Sequence, residues 1–264
     1  MKRLKWVLLI AGMLVFDFAN AGPAAKFAAT YTDERPSLVS VVVIDGATQD
    51  SLVFDLSTGY TLATLKVPQD KELLIGVSSE VGIVTDTSIK GRNGGDAKAI
   101  AGGGAAVVVF AVPVDGANGT AAIAAPGPVM LSARVQELSA TLGGVIESCE
   151  DTLGGGELGD EPDGVIDVAT ECVVTDEEIG LALSTLASHH FNFVLPNMDQ
   201  GEYNLVAFFV TGALAKVDIN ELSVSEGGTV EASAYAKAFL GKTMVTAQQV
   251  RATKGGVIDA DIVE

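Results

Sequence analysis

Residues 37–89 read SLVSVVVIDGATQDSLVFDLSTGYTLATLKVPQDKELLIGVSSEVGIVTDTSI, and the punctuation of this stretch decides the fold. An apolar, β-branched run over 37–46 stops at Asp45-Gly46. A second, over 51–59, alternates and stops at Gly59, and a third, over 60–68, carries Leu62, Leu65 and Val67 and ends at Pro68. A longer run, 72–89, holds Gly76 and Gly82 as candidate bulges. Runs of this kind, separated by Asp-Gly, Gly-Gly and Pro, predict antiparallel strands joined by turns. They do not alternate regularly with helices, which disfavours a parallel, doubly wound sheet. The expected fold is mainly β: an antiparallel β-sandwich, jelly-roll-like.

Moving outward, residues 99–114 (AIAGGGAAVVVFAVPV) read as a buried strand approached through glycines, too broken to span a bilayer. A second β region opens at 190–217 and carries an internal echo of the first. Here LKVPQDKELLIGVSSEV, Gly94-Gly95 and DAKAIA answer to FVLPNMDQGEYNLVAFFV, Gly227-Gly228 and TVEASAYAKA. The small residues Ala232, Ala234, Ala236 and Ala238 alternate, so one face of that strand is expected to pack closely against a neighbour.

Two segments carry helical signals. In 129–142, Leu131, Val135, Leu138 and Leu142 form a stripe between Pro128 and Gly143-Gly144. Thr175 and Glu178 make a T-x-x-E capping box before Ile179, Leu183, Leu186 and Ala187, with Asp176 and Glu177 placed for the positive end of a helix dipole. The expected organisation is a signal peptide over 1–21 and one sandwich domain over 22–264. A two-helix, disulfide-closed acidic insertion is expected at about 128–188.

The signal peptide is read from Lys2, Arg3 and Lys5, the apolar run Trp6–Phe16 and the small residues Ala19-Asn20-Ala21. It implies a secreted or periplasmic protein with no membrane span after cleavage. Formal charge is −18 for the whole chain. Such a surface repels nucleic acid and anionic membranes. With 48% hydrophobic residues the chain can still bury a substantial core.

The two cysteines, Cys149 and Cys172, are expected to pair in an oxidising compartment. Between them lie eight carboxylates and no lysine or arginine. Around Gly164, the residues Asp160, Glu161, Asp163 and Asp167 offer oxygens near a sharp glycine turn, the arrangement calcium asks of a continuous loop. Over about ten residues this resembles the D-x-D-x-D-G-x-x-D loops of EF-hands, dockerins and thrombospondin type 3 repeats, which implies calcium as a structural ion. The stretch departs from that pattern at Gly159, where the loop should open, and at Thr170, where a bidentate glutamate belongs. His189-His190 is expected at the end of the second helix, favourable to its dipole and without metal-site geometry.

No catalytic motif is legible: G-x-S-x-G, H-E-x-x-H and G-x-x-x-x-G-K are all missing. The expectation is therefore an exported, non-catalytic structural or binding protein: a surface, matrix, adhesin-like or filament subunit. Its partners would be further copies of itself or an extracellular protein or glycan. The alternative is a periplasmic ligand- or carbohydrate-binding module, with a hydrolase behind it.

Overall fold

The computed structural model describes residues 27–33, 37–45, 49–57, 59–68, 71–114, 120–152, 164–166, 171–220 and 228–250. Every named element among them is a strand: β1 (Phe27–Thr32), β2 (Leu38–Asp45), β3 (Gln49–Leu56), β4 (Tyr60–Val67), β5 (Lys71–Arg92), β6 (Gly95–Pro113), β7 (Ala122–Ile123), β8 (Val129–Leu142), β9 (Val145–Cys149), β10 (Cys172–Thr175), β11 (Glu177–Met198), β12 (Gly201–Asn220) and β13 (Thr229–Val250). Residues 1–21, expected to be a signal peptide, lie outside the described residues. No helix among the described residues is long and apolar enough to cross a membrane.

The strands form two antiparallel sheets. In the first, β1 and β2 lie end to end along one side of β13, followed by β5 and then β11. In the second, β4 and β3 lie end to end along β12, followed by β6, with β7 and β8 along its far side. Counting each end-to-end pair as one strand position gives eight positions. They are ordered 1-8-3-6 in the first sheet and 2-7-4-5 in the second. Apart from β6 with β7 and β8, each pairing within these two sheets joins a strand before residue 115 to one after residue 176. This is the structural basis of the sequence echo, since β4–β5–β6 and β11–β12–β13 hold equivalent places. At about 3.3 Å per residue, the 22-residue β5, β11 and β13 each run for roughly 70 Å.

The inner faces build the core by strict alternation. Leu73, Ile75, Val77, Val81 and Ile83 of β5 meet Val107, Val109 and Ala111 of β6, Phe193 and Leu195 of β11, and Tyr203, Leu205 and Phe209 of β12. Each such side chain contributes about 1.5–3 kcal/mol on burial. Toward the other end the core thins to Ala97, Ala99 and Ala101 against Ala213 and Ala215, and Ala232, Ala234, Ala236 and Ala238, all buried. The expected close packing of the alanine strand is therefore met by the facing sheet. Gly103 lies in the same contact: a Cβ there would stand 3.0 Å from Ile83 Cγ2 and 3.4 Å from Ala238 Cβ.

The expected two-helix insertion is not present. Residues 129–142 are β8, an edge of the second sheet, and 177–198 are β11, an edge of the first. In β8 the alternation was hidden because two inward positions are polar, Arg134 and Gln136, and because the register shifts between Ala105 and Ala106 opposite it. In β11 Ile179 and Leu183 are four apart, a spacing that suits period 2 and period 3.6 alike, and the inward set is Ile179, Leu181 and Leu183. The acidic residues of the presumed capping box serve other groups. Asp176 pairs with Lys90 at 3.3 Å and Arg92 at 3.6 Å, and Glu177 accepts hydrogen bonds from the Gly143 and Gly144 amides. Gly82 is no bulge either: pairing with β11 is continuous there, and the Phe239 ring lies over it, 2.1 Å from where a Cβ would be. Gly76 likewise keeps register, under Thr246 and His190.

Candidate interaction surface

Between the two sheets, where β8 and β11 run along the same side of the sandwich, the interior is polar. Gln136 Oε1 accepts from Thr85 Oγ1 at 2.8 Å, and its Nε2 donates to Thr87 Oγ1 at 2.8 Å and to the Leu181 carbonyl. Arg134 Nη2 donates to Thr185 Oγ1 at 2.8 Å, while Nη1 is buried with no hydrogen-bond partner among the described residues. Thr85, Thr87 and Gln136 are all buried. This network fixes two edge strands that pair with neighbours on one side only, and offers no cavity.

The acidic excursion hangs from β9 and β10, a two-stranded ladder of its own. Cys149 and Cys172 face each other across it and are bridged, with Cα atoms 4.0 Å apart. Asp160, Glu161, Asp163 and Asp167 lie outside the described residues. Gly164 has φ +81°, the left-handed conformation expected of an Asp-Gly turn, and its amide donates to Asp151 Oδ2 at 2.6 Å. Glu171 Oε1 accepts from the Thr152 amide at 2.7 Å. Among the described residues no group of three or more metal-ligating side chains is assembled. His189 and His190 sit within β11, not at a helix end, so alternation points them to opposite faces. His190 is fixed by Ser78 at 2.7 Å and Asn192 at 3.0 Å.

The outer face of the first sheet is mixed: Ser78, Glu80, Asp86, Ser88 and Lys90 on β5 and Ser233, Tyr235 and Lys237 on β13 stand among exposed Val42, Ile44 and Leu186. One uncharged, apolar row there runs through Leu38, Phe239, Gly82 and Leu186. On the second sheet, three consecutive cross-strand rows hold no charge. Leu52, Leu214, Gly102 and Val135 form one; Phe54, Gly212, Gly104 and Ala133 the next; Leu56, Val210, Ala106 and Met130 the third. Gly102, Gly104 and Ala106 of β6 and Gly212 of β12 are small, between Leu214 and Val210 on one side and Val135 and Met130 on the other. The result is a trough of about 240 Å³ floored by Gly102, Gly104 and Gly212. Its rims are 59% (Leu52), 65% (Phe54), 64% (Leu56), 61% (Met130) and 70% (Val135) exposed.

The apolar surface continues along the strands. Phe208 and Val206 of β12 pair with Val108 and Phe110 of β6, and Ile123 lies beside Phe110. The Phe110 and Phe208 rings meet edge to face at 5.6 Å. Toward the opposite end the charges return as matched pairs: Lys216 stands opposite Asp50, and Lys98 Nζ is 2.7 Å from Glu137 Oε1. An antiparallel sheet with one solvated face normally alternates apolar and polar. Here β6 is apolar on both faces, while β3 and β12 keep Asp55 and Thr211 on the inner side, where both bond Ser37. The doubly apolar run AAVVVFAV was visible in the sequence, but a strand assigned to a buried place gives no sign that its outer face is bare.

No protein-family model matches this chain, and no curated protein matches it. Among solved structures, one similar chain belongs to the "Structure of infectious bursal disease virus Gx strain", at 9% identity and a TM-score of 0.11, over 80% of this chain and 42% of that one. This chain thus spans less than half the length of that protein, and a likeness of this degree carries no argument about fold or function.

Proposed function

We propose that this is an exported, non-catalytic structural or binding protein that works by surface contact, through the outer face of the β12–β6 sheet. One observation carries the reading: three consecutive uncharged cross-strand rows stand open on the outer face of the second sheet, around a glycine-floored trough. Taking about 200 Å² for a fully exposed large side chain, the five rim residues alone present roughly 600 Å², at the upper edge of the largest patch a monomer ordinarily carries. Eight positions ordered 1-8-3-6 and 2-7-4-5 support a jelly-roll description, two interlocked Greek keys. The Cys149–Cys172 bridge supports an oxidising compartment outside the cytoplasm. A carbohydrate module fits this face less well, because no hydrogen-bonding side chain stands in the three rows to hold a sugar hydroxyl.

The test is whether the face is available to apolar partners. Nile red, a neutral dye, should fluoresce on the wild-type protein wherever the face is free, and Phe54→Asp should abolish the signal. Sedimentation and electron microscopy then report whether the protein assembles. A monomer that neither binds the dye nor assembles would defeat the proposal. Calcium in the acidic excursion is a separate, structural proposal, favoured by the bridge that holds the loop ends and by the left-handed turn at Gly164.

A further inference from the structure

We infer that the partner for the apolar trough is a second copy of this chain, docked sheet to sheet about a two-fold axis. The inference rests on the reading of this face as a contact surface and names its occupant.

Three observations favour a copy over an unrelated protein. The first is relief. An isologous interface must be self-complementary, because the same patch serves both partners. This patch carries a ridge, Leu52, Phe54 and Leu56 on β3, beside a groove floored by Gly102, Gly104 and Gly212. The groove runs along β6, between Leu214 and Val210 of β12 and Val135 and Met130 of β8; with strands about 4.8 Å apart, those two walls stand roughly 10 Å from each other. That leaves room between them for one incoming row of side chains. With two copies related by a two-fold, the β3 ridge of each enters the groove of the other. The glycines matter here, because backbone on the floor lets a ring approach as closely as Phe54 already does to Gly212, where a Cβ would be 2.9 Å from Cε1.

The second observation is charge. A chain of net charge −18 attracts basic partners through its carboxylates and repels its own copies. Self-association therefore needs a zone without acids, and the three rows supply one. Of the flanking charges, Lys98 is paired with Glu137, and Lys216 stands opposite Asp50 in the ladder. The third is area. The rims together with the adjoining Val206, Phe208, Val108, Phe110 and Ile123 approach the ~800 Å² per partner that a stable interface buries.

Sedimentation equilibrium on the protein recovered from an exporting host, with its disulfide formed, tests this. The wild type should be dimeric. Phe54→Asp should weaken self-association by at least about 30-fold, the scale of an interface hot spot. Ala133→Glu, which puts a charge in the trough while keeping the β3 ridge, should do the same. Val42→Asp, at a site 55% exposed on the other sheet, should leave the dimer intact, and unchanged circular dichroism confirms that each variant is folded. A wild-type monomer at about 100 μM overturns the inference. If that monomer binds Nile red and Phe54→Asp does not, the face is a docking surface for something else and only the second-copy inference falls. If it binds no dye, both fall. Dimerisation that appears only after residues 251–264 are removed would show the chain covering its own face, and also overturns the inference.

Discussion

Replacing Gln136 by leucine should destabilise the protein far more than its place on an edge strand suggests. Gln136 is 5% exposed, and both hydroxyls it serves, those of Thr85 and Thr87, are fully buried. Leucine keeps the volume and removes three hydrogen bonds: from Thr85, to Thr87 and to the Leu181 carbonyl. Each net bond contributes about 0.5–1.5 kcal/mol, and a buried group left unsatisfied costs about 1–3 kcal/mol. Thr87 keeps a long contact to the Leu181 carbonyl at 3.5 Å, so Thr85 bears most of the penalty. Allowing for the apolar gain of leucine, a loss of about 2–4 kcal/mol is expected. At 2–4 °C per kcal/mol for a chain of this size, that is roughly 6–12 °C in Tm near 3 kcal/mol. Urea unfolding followed by circular dichroism gives the free energy directly, provided the slope is unchanged. The decisive comparison adds Thr85→Val to Gln136→Leu, which removes both partners and should restore about 1 kcal/mol or more. A loss under about 0.5 kcal/mol for the single variant, or a further loss for the double, would refute the reasoning that Gln136 satisfies the two buried threonine hydroxyls.

Further expectations concern the periphery. Replacing both Cys149 and Cys172 by alanine removes a bridge across a sequence separation of 23, and loop entropy predicts a loss of about 3.4 kcal/mol in urea unfolding. Burial works to raise the pKa of Asp176, but hydrogen bonds from Lys90 and Thr229 and the charges of Lys90 and Arg92 outweigh it and hold the carboxyl below its usual range. A depressed folded pKa means stability present above the unfolded value and lost as pH falls through the folded one. Asp176→Asn should therefore be less stable than wild type at pH 7, with the gap closing under strong acid, as acid titrations of the two unfolding curves would report. Millimolar calcium should raise Tm relative to chelator, by about 2.7 kcal/mol of stability at one hundred times Kd. Asp163→Ala should abolish the rise, and an unchanged Tm in calcium would remove the ion from the account.

The strands with one apolar face were legible because alternation and turn residues agree: 37–46, 60–68 and 72–89 correspond to β2, β4 and β5 within a few residues. The edge strands β8 and β11 were not. Their inward positions include Arg134, Gln136 and half-open leucines, so the binary pattern that marks a strand is diluted where the core itself is polar. The disulfide was legible from two cysteines and an inferred compartment. The trough was not, since it depends on which residues of three separate strands share a row. Register of that kind follows from pairing across distant parts of the sequence, as in Phe54 with Gly212 and Gly104 with Gly212.

The strand order also governs when this chain can fold. The central strands of each sheet are one from each half, β13 beside β5 and β12 beside β6. A nascent chain ending before residue 201 possesses neither partner, so both sheets stay open until the last quarter of the polypeptide has emerged. Non-local pairing of this degree is slow, because loop closure must precede any contact that rewards it. Under the export proposed above, that delay would hold the sandwich open while the chain crosses the membrane. The same delay leaves β5 and β6 with bare edges in the interval, and a holding factor that masks them until β12 and β13 arrive would determine the yield.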